Sequence, residues 1–136
     1  MSSGKISSSF NPLEDDECIT FSSWLKLNNI PHAHIANESR SSSQSAIIRG
    51  AKLKKMGQSR GVWDYEIYVP IKGITGEIDC YELIKIEMKR RVGGVLSVEQ
   101  KQWGKIYELA GIPCKVCKGA DEAIAFVNKY LKNEVF

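Results

Sequence analysis

The segment from Gly61 to Arg91 (GVWDYEIYVPIKGITGEIDCYELIKIEMKRR) constrains the fold of this 136-residue chain more than any other. Residues 63–69 alternate between apolar and polar side chains and are rich in β-forming types, and residues 80–89 form a second β-rich run. The interval 70–79 contains glycines and is typical of a turn. Two such runs around a glycine-bearing turn predict an antiparallel hairpin. The fold must therefore contain a β-sheet.

Helical patterns lie on both sides of the predicted hairpin. The predicted helices span 12–28, 46–57 and 97–110, and a fourth begins with Asp121 as its cap; short strands are predicted at 32–36 and 113–118. Asn11 suits the cap of the first helix, and Ser97 and Gln100 have capping-box spacing at the third. The order α, β, α, β, β, α, β, α predicts an α/β fold with a mixed sheet flanked by helices.

Composition places the chain among single-domain globular proteins. Apolar residues make up 43% and charged residues 26%, so a core can form without a disulfide or metal. We expect a disordered tail over 1–10 and one domain over 11–136. The sequence contains no apolar run of 18 residues. Its start, MSSGKISSSF, has one lysine and no apolar segment, so we do not expect it to be a secretory signal. We therefore expect reduced cysteines and a cytoplasmic location.

Charge is distributed unevenly along the chain. The net charge is +3, but residues 1–38 sum to −3, so the remainder carries +6. Between positions 49 and 62 there is no acid and five basic residues: Arg49, Lys52, Lys54, Lys55 and Arg60. Such a stretch predicts a surface that faces an anion, with a solvated basic loop as the alternative.

Three residues of the predicted hairpin form a pattern with chemical meaning. Glu87 and Lys89 lie two apart on one strand and so point to the same face, and Asp64 lies on the partner strand. Burying an acid beside a lysine is costly unless the two pair or bind a ligand. Two carboxylates can hold Mg²⁺ through oxygen, the metal activates water, and a lysine orients that water or stabilises developing charge. This set suits hydrolysis of a phosphodiester.

Asp64, Glu87 and Lys89 read as D-x(22)-E-x-K, which resembles the core motif of the PD-(D/E)xK nucleases. The segments LKKMGQSRGVWD, IEMKRRVGGVLSVEQKQW and AGIPCKVCKGADEAIAFVNKYL resemble the VRR-NUC family of that superfamily, and the similarity runs from about Glu14 to Leu131. Trp63 departs from the family pattern, which has proline before the aspartate. The resemblance implies a restriction-endonuclease-like fold and a Mg²⁺-dependent DNA endonuclease in which Mn²⁺ substitutes.

The resemblance also implies which residues form the site. In the family, a helix-borne glutamate, the aspartate, the glutamate of E-x-K and the following carbonyl bind one or two metal ions; here these are Glu14, Asp64, Glu87 and Met88. Glu17 is the alternative to Glu14, and a cluster of acids at a helix start needs no metal to explain it. Gln100 matches a glutamine that can face the site and, with Lys89, completes the predicted catalytic set, although the capping box explains it as well.

The expected partner is DNA. The predicted DNA-contacting residues are Lys52, Lys54, Lys55, Arg60, Arg90 and Arg91. Family members that consist of this domain alone, many of them from phages, resemble dimeric nucleases that act on branched DNA such as Holliday junctions. The resemblance thus implies branched DNA as substrate, a homodimer, no membrane, no organic cofactor, and a bacterial or phage-infected cell.

The hairpin tip around Ile71 and Ile74 is the expected dimer surface, in preference to the serine-rich loop at 41–45. The alternatives are a nicking nuclease of a phage or defence system and a non-catalytic nucleic-acid-binding module.

Other candidate residues have simpler explanations. Cys114 and Cys117 have zinc-like spacing, but on a strand they face opposite sides, so apolar packing explains them better than a zinc site. His32 and His34 share a strand face without a nearby nucleophile pattern, which favours a surface or DNA-contacting role. Positions 37–38 suit a turn.

Overall fold

The structure, a computed structural model, describes residues 13–35, 52 and 60–131. Within these residues the helices and strands are α1 (Glu14–Leu27), β1 (His32–His34), β2 (Tyr65–Lys72), β3 (Ile78–Lys89), α2 (Val98–Leu109), β4 (Cys114–Lys118) and α3 (Ala120–Leu131). The predicted tail, the cap at Asn11, the turn at 37–38 and the serine-rich loop lie outside the described residues. So does the predicted helix at 46–57 apart from Lys52, which is helical. None of the described helices is long and apolar enough to cross a membrane.

The described strands form one mixed sheet in the order β1-β2-β3-β4. β1 and β3 both run antiparallel to β2, whereas β4 runs parallel to β3. A parallel neighbour requires a crossover connection, and α2 lies in that connection between β3 and β4. The observed architecture confirms the predicted α/β class, a mixed sheet flanked by helices.

The hairpin turn is shorter than the sequence predicts. β2 continues to Lys72 and β3 resumes at Ile78, so the predicted turn over 70–79 is wrong at both ends. Pro70 lies within β2, opposite Tyr81. The N–H of Tyr68 points toward β1 and donates to the carbonyl of Pro31. Two residues later the same side lies past the end of β1, so a proline without an N–H is tolerated there.

The ends of α1 and α2 follow local sequence signals. The predicted capping box of Ser97 and Gln100 is present at the start of α2. Asn29, with a φ of 55°, follows the last turn of α1, as a residue that tolerates the left-handed region should. α1 begins at Glu14, later than predicted, and its cap residue, Leu13, makes no side-chain hydrogen bond.

The start of α3 differs from the prediction. The helix begins at Ala120, so Asp121 lies inside the first turn and is not the cap. Instead, the carboxylate of Glu17 on α1 accepts the Ala120 N–H at 2.9 Å. A side chain distant in sequence thus satisfies one of the free N–H groups of this helix end.

The two faces of the sheet differ in character. One face packs against α1 and α3 and forms the core, whose largest members are Phe21, Leu25, Tyr65, Ile67, Ile84, Ile86 and Met88. The opposite face meets α2 and buries polar groups, which are Asp64, Lys85, Glu87 and Gln100. Because side chains alternate along a strand, β3 contributes to the core with one face and to this polar layer with the other.

Candidate metal and catalytic centre

Three carboxylates from separate parts of the chain meet at one end of the sheet. One oxygen from each of Glu14, Asp64 and Glu87 lies within 4.8 Å of the others. Asp64 and Glu87 are only 6% and 1% exposed, whereas Glu14 is half-buried. No other group of three His, Cys, Asp or Glu side chains comes so close together in the part of the chain that the structure describes.

Backbone N–H groups fix Asp64 and Glu87 relative to each other. The N–H of Asp64 donates to Glu87 Oε1 at 3.1 Å, and the N–H of Met88 donates to Asp64 Oδ2 at 3.0 Å. These bonds extend the register in which Tyr65 faces Ile86 across the hairpin. The pairing of β2 with β3 therefore determines where both carboxylates lie.

Glu87 has two further partners on its other oxygen. Lys89 Nζ lies 3.4 Å from Glu87 Oε2, and Gln100 Nε2 donates to the same oxygen at 2.8 Å. Gln100 Oε1 meanwhile accepts the N–H of Ser97 at 2.9 Å. One amide thus completes the capping box with its oxygen and contacts Glu87 with its nitrogen, so the cap does not exclude a role at the site.

The surroundings of Glu87 shift the pKa of its carboxyl group. Burial and the neighbouring Asp64 raise the pKa of Glu87 to about 8, although Lys89 and hydrogen bonds act in the opposite direction. The raised pKa reflects first the loss of water around the carboxyl group and second the repulsion between Glu87 and Asp64. Three converging carboxylates in such a place fit a hard divalent cation, which prefers oxygen ligands.

The structure separates the two glutamates of α1 that the sequence left as alternatives. Glu17 is 3% exposed and accepts from Arg91 Nε at 2.7 Å as well as from Ala120. Burial would raise the pKa of Glu17, but the hydrogen bonds from Arg91 and Ala120 outweigh it and lower the pKa. Glu17 therefore connects three segments of the fold, while Glu14 is the glutamate that lies beside Asp64 and Glu87.

The fold that carries these carboxylates is similar to that of a known protein. No family model matches the sequence, and no curated protein matches it. Among solved structures, the chain is similar to a VRR_NUC domain protein with a TM-score of 0.63 and 22% identity over 89% of each chain. The chain has a VRR-NUC fold. The architecture implied by the sequence resemblance is confirmed, and the carboxylate cluster lies within that fold.

The VRR-NUC fold presents the predicted DNA-contacting residues in different settings. Lys52 and Arg60 are exposed, and Arg90 is half-buried directly after Lys89. The guanidinium of Arg91 is engaged by Glu17 and also lies 3.7 Å from an oxygen of Asp121. Lys54 and Lys55 lie outside the described residues.

Sequence reasoning missed a buried lysine on the polar face of this VRR-NUC fold. Lys85 is 3% exposed, lies 3.4 Å from Glu66 Oε2 on β2, and sits 5.0 Å from the centre of the Tyr107 ring on α2. Burial lowers the pKa of Lys85, although the nearby acids oppose that shift. The available signal was the alternation along β3, since residues two and four positions before Lys89 share its face.

The cysteines do not converge on one point in the part of the chain that the structure describes. All four are free. Cys117 is buried in the core beneath α3, whereas the Cys114 thiol faces the carbonyl of Gly104 on α2 at 4.0 Å. The two residues therefore point to opposite faces of the sheet, as their spacing on a strand predicts. His34 is exposed and its ring lies 4.7 Å from that of Tyr65.

Proposed function

We propose that this protein is a metal-dependent endonuclease that hydrolyses phosphodiester bonds in DNA. The observation that carries the proposal is the convergence of Glu14, Asp64 and Glu87 at one end of the sheet, with Lys89 against Glu87. Two carboxylates and a lysine at one site suit phosphodiester hydrolysis. The VRR-NUC fold supports the same class, because the similar solved structure carries that domain name.

The proposed cofactor is Mg²⁺, with Mn²⁺ as a substitute. The carboxylates of Glu14, Asp64 and Glu87 and the backbone carbonyl of Met88 would hold the ion, since oxygen ligands suit both metals. When bound, such an ion polarises a phosphate oxygen and lowers the pKa of a water molecule. The raised pKa of Glu87 supports this assignment, because a cation would relieve the repulsion between buried carboxylates.

Lys89 is the residue that we assign to the reacting phosphate. Its side chain is 11% exposed, and its ammonium lies beside Glu87. An ammonium in this position can stabilise negative charge that develops on the phosphate and can orient the attacking water. Gln100 would act on Glu87, holding that carboxylate by a hydrogen bond in a fixed orientation.

The proposed substrate is branched DNA, cut by a homodimer. Six basic residues would contact phosphates near the cleaved strand: Lys52, Lys54, Lys55, Arg60, Arg90 and Arg91. Each chain offers one candidate site, and resolving a four-way junction requires two symmetric nicks. A two-fold dimer supplies two such sites on opposite strands. We place this activity in the cytoplasm of a bacterial or phage-infected cell.

A panel of labelled single-stranded, duplex, flap and four-way-junction DNAs tests this proposal. We expect cleavage with Mg²⁺ or Mn²⁺, none with EDTA, and the fastest cleavage on the junction. Equal nicking of every duplex would favour the nicking nuclease instead. Metal-independent binding without cleavage of any DNA would favour the non-catalytic module.

A further inference from the structure

Trp63 stands directly before Asp64 and contacts the helix that carries Gln100. Its side chain is 3% exposed, and its indole N–H donates to the carbonyl of Gln100 at 2.8 Å inside the protein. The edge of the ring meets Tyr107 with 5.3 Å between ring centres, and the Trp63 backbone N–H donates to the Tyr107 hydroxyl at 3.3 Å. Trp63 therefore contacts α2 at two points that are about two helical turns apart.

Two glycines show that the segment before Asp64 and α2 are closely packed. A Cβ added to Gly104 on α2 would lie 2.8 Å from Cζ2 of Trp63. A Cβ added to Gly61, whose φ is +82°, would lie 2.5 Å from Cβ of Glu99. Carbon atoms do not approach so closely without displacement, so a side chain at either position would push its neighbour away. The segment before Asp64 therefore packs directly against the first turns of α2.

These contacts form a closed circuit around the candidate site. Trp63 holds the Gln100 carbonyl, the Gln100 amide donates to Glu87, and Glu87 accepts from the N–H of Asp64. Asp64 is covalently joined to Trp63, which closes the circuit. A shift of α2 away from Trp63 would lengthen the bond from Gln100 to Glu87, because the same residue supplies both contacts.

We propose that Trp63 is a positioning residue of the site. Its indole N–H holds α2 at the distance at which the Gln100 amide reaches Glu87, and so keeps that carboxylate oriented toward Asp64. A proline at this position would restrict the backbone φ but would offer no side-chain donor, whereas Trp63 acts through its side chain. The contact itself is independent of the nuclease assignment; its effect on metal binding and cleavage rests on the proposed function.

The substitution Trp63→Phe tests the inference, because it removes the N–H donor and keeps a flat ring. Trp103→Phe is the matched control. The indole N–H of Trp103 also joins α2 to the segment before Asp64, because it donates to the carbonyl of Arg60 at 3.1 Å. Trp103 is partly exposed, and this bond does not involve Gln100. We expect Trp63→Phe to weaken Mg²⁺ binding in calorimetry about 10-fold, the usual effect of losing a partner that orients a ligand. The same change should lower kcat and leave the KM for DNA within about twofold. The control should leave the Mg²⁺ affinity and kcat unchanged.

A second measurement reports on the contact without using activity. Solvent exchange of the Gln100 side-chain amide protons, followed by nuclear magnetic resonance, should be slow in the wild type and in Trp103→Phe, and faster in Trp63→Phe. In a Gln100→Ala background, adding Trp63→Phe should cause no further loss of Mg²⁺ affinity, because Trp63 acts on Glu87 only through the Gln100 amide. If Trp63→Phe does not fold, Gly104→Ala displaces the ring without removing it and should accelerate the same exchange.

The outcomes separate this inference from the proposed function. Unchanged amide exchange, unchanged Mg²⁺ affinity, or equal losses in Trp63→Phe and Trp103→Phe would overturn the positioning role. A wild-type protein that neither binds Mg²⁺ nor cleaves DNA would instead refute the nuclease, while the exchange rates would still decide whether Trp63 holds Gln100 on Glu87.

Discussion

At the scale of single residues, Glu87 experiences opposing influences. It is 1% exposed and lies beside Asp64, which disfavours its charge, while it accepts from Gln100 and lies 3.4 Å from Lys89, which favours that charge. The first influence prevails, and the pKa of Glu87 is raised to about 8 from its ordinary value of 4.5. The stability of the metal-free protein should therefore depend on pH.

The sign of that dependence follows from the raised pKa. Between about pH 4.5 and 8 the folded protein keeps a proton on Glu87 that the unfolded chain releases, so the contribution is present at low pH and is lost as the pH rises. In urea unfolding with EDTA, the wild type should lose stability across this window, and Glu87→Gln should lose less. Glu108→Gln, an exposed change on α2, is the control and should follow the wild type. Wild-type and Glu87→Gln curves that run parallel would contradict the assignment.

The third carboxylate of the site, Glu14, could not be identified from the sequence alone. Asp64, Glu87 and Lys89 are brought together by one hairpin, whose alternation and register can be read from local sequence. Glu14 and Glu17 lie on one helix and differ by three positions. Only tertiary partners distinguish them, and the partner of Glu17 lies 74 residues away in Arg91.

At the scale of elements, Glu17 joins α1 to the segment after β3 and to the start of α3. Glu17 accepts from Arg91 and from the first N–H of α3, which lies 103 residues further along the chain. Gly119, with a φ of +95°, lies against Arg91, since an added Cβ would come within 2.9 Å of its Nε. Helix periodicity predicts each element, but it carries no information about a junction of segments so far apart.

Arg91→Ala tests the junction. The change leaves the buried Glu17 carboxylate with the Ala120 N–H and without its guanidinium partner. We expect the free energy of unfolding to fall by about 1–3 kcal/mol, less than for a fully buried pair because Arg91 is 45% exposed. Asp121→Ala removes the exposed acid of the same cluster and should cost less than about 0.5 kcal/mol. Equal stability of the two variants in urea would show that the Glu17 contact contributes nothing.

At the scale of the whole molecule, the two ends of the hairpin have different roles. The end near Asp64 bears the candidate site, while the tip at 73–77 lies at the far end of both strands. Of the two isoleucines predicted for the dimer surface, Ile74 is fully exposed at that tip, whereas Ile71 is half-buried within β2. Ile78, at the start of β3, is 47% exposed. A surface of this kind suits a protein contact away from the substrate.

We predict that the protein is a homodimer joined through this tip. Light scattering at micromolar concentration should give about twice the 15.2 kDa mass of the chain. Ile74→Ser should shift the mass toward the monomer, because it removes apolar area from the contact. Leu109→Ser, at an equally apolar position on α2 that is 78% exposed, should leave the dimer intact. A wild-type mass near 15.2 kDa with and without junction DNA would exclude the dimer and the paired-nick mechanism.

The basic stretch predicts how binding responds to salt. Replacing Lys52, Lys54, Lys55 and Arg60 together by Ala should weaken binding to all DNA sequences alike. The slope of log affinity against log salt should fall by about 0.9 for each duplex phosphate that the variant no longer neutralises. The pair Lys72→Ala and Lys129→Ala removes exposed charges from other elements and should leave the slope unchanged. An unchanged slope in the fourfold variant would show that these residues do not bind phosphate.

The most direct test of the central claim is nicking of supercoiled plasmid DNA with and without Mg²⁺. We expect the wild type to nick with Mg²⁺ and to stop in EDTA. Asp64→Ala, Glu87→Ala and Lys89→Ala should each lose about 100-fold or more in rate while remaining folded, because each group serves the metal or the charge of the transition state. Lys72→Ala, on the same hairpin at its far end, should retain the wild-type rate. Wild-type rates in both Glu87→Ala and Lys89→Ala, or nicking that persists in EDTA, would contradict the assignment.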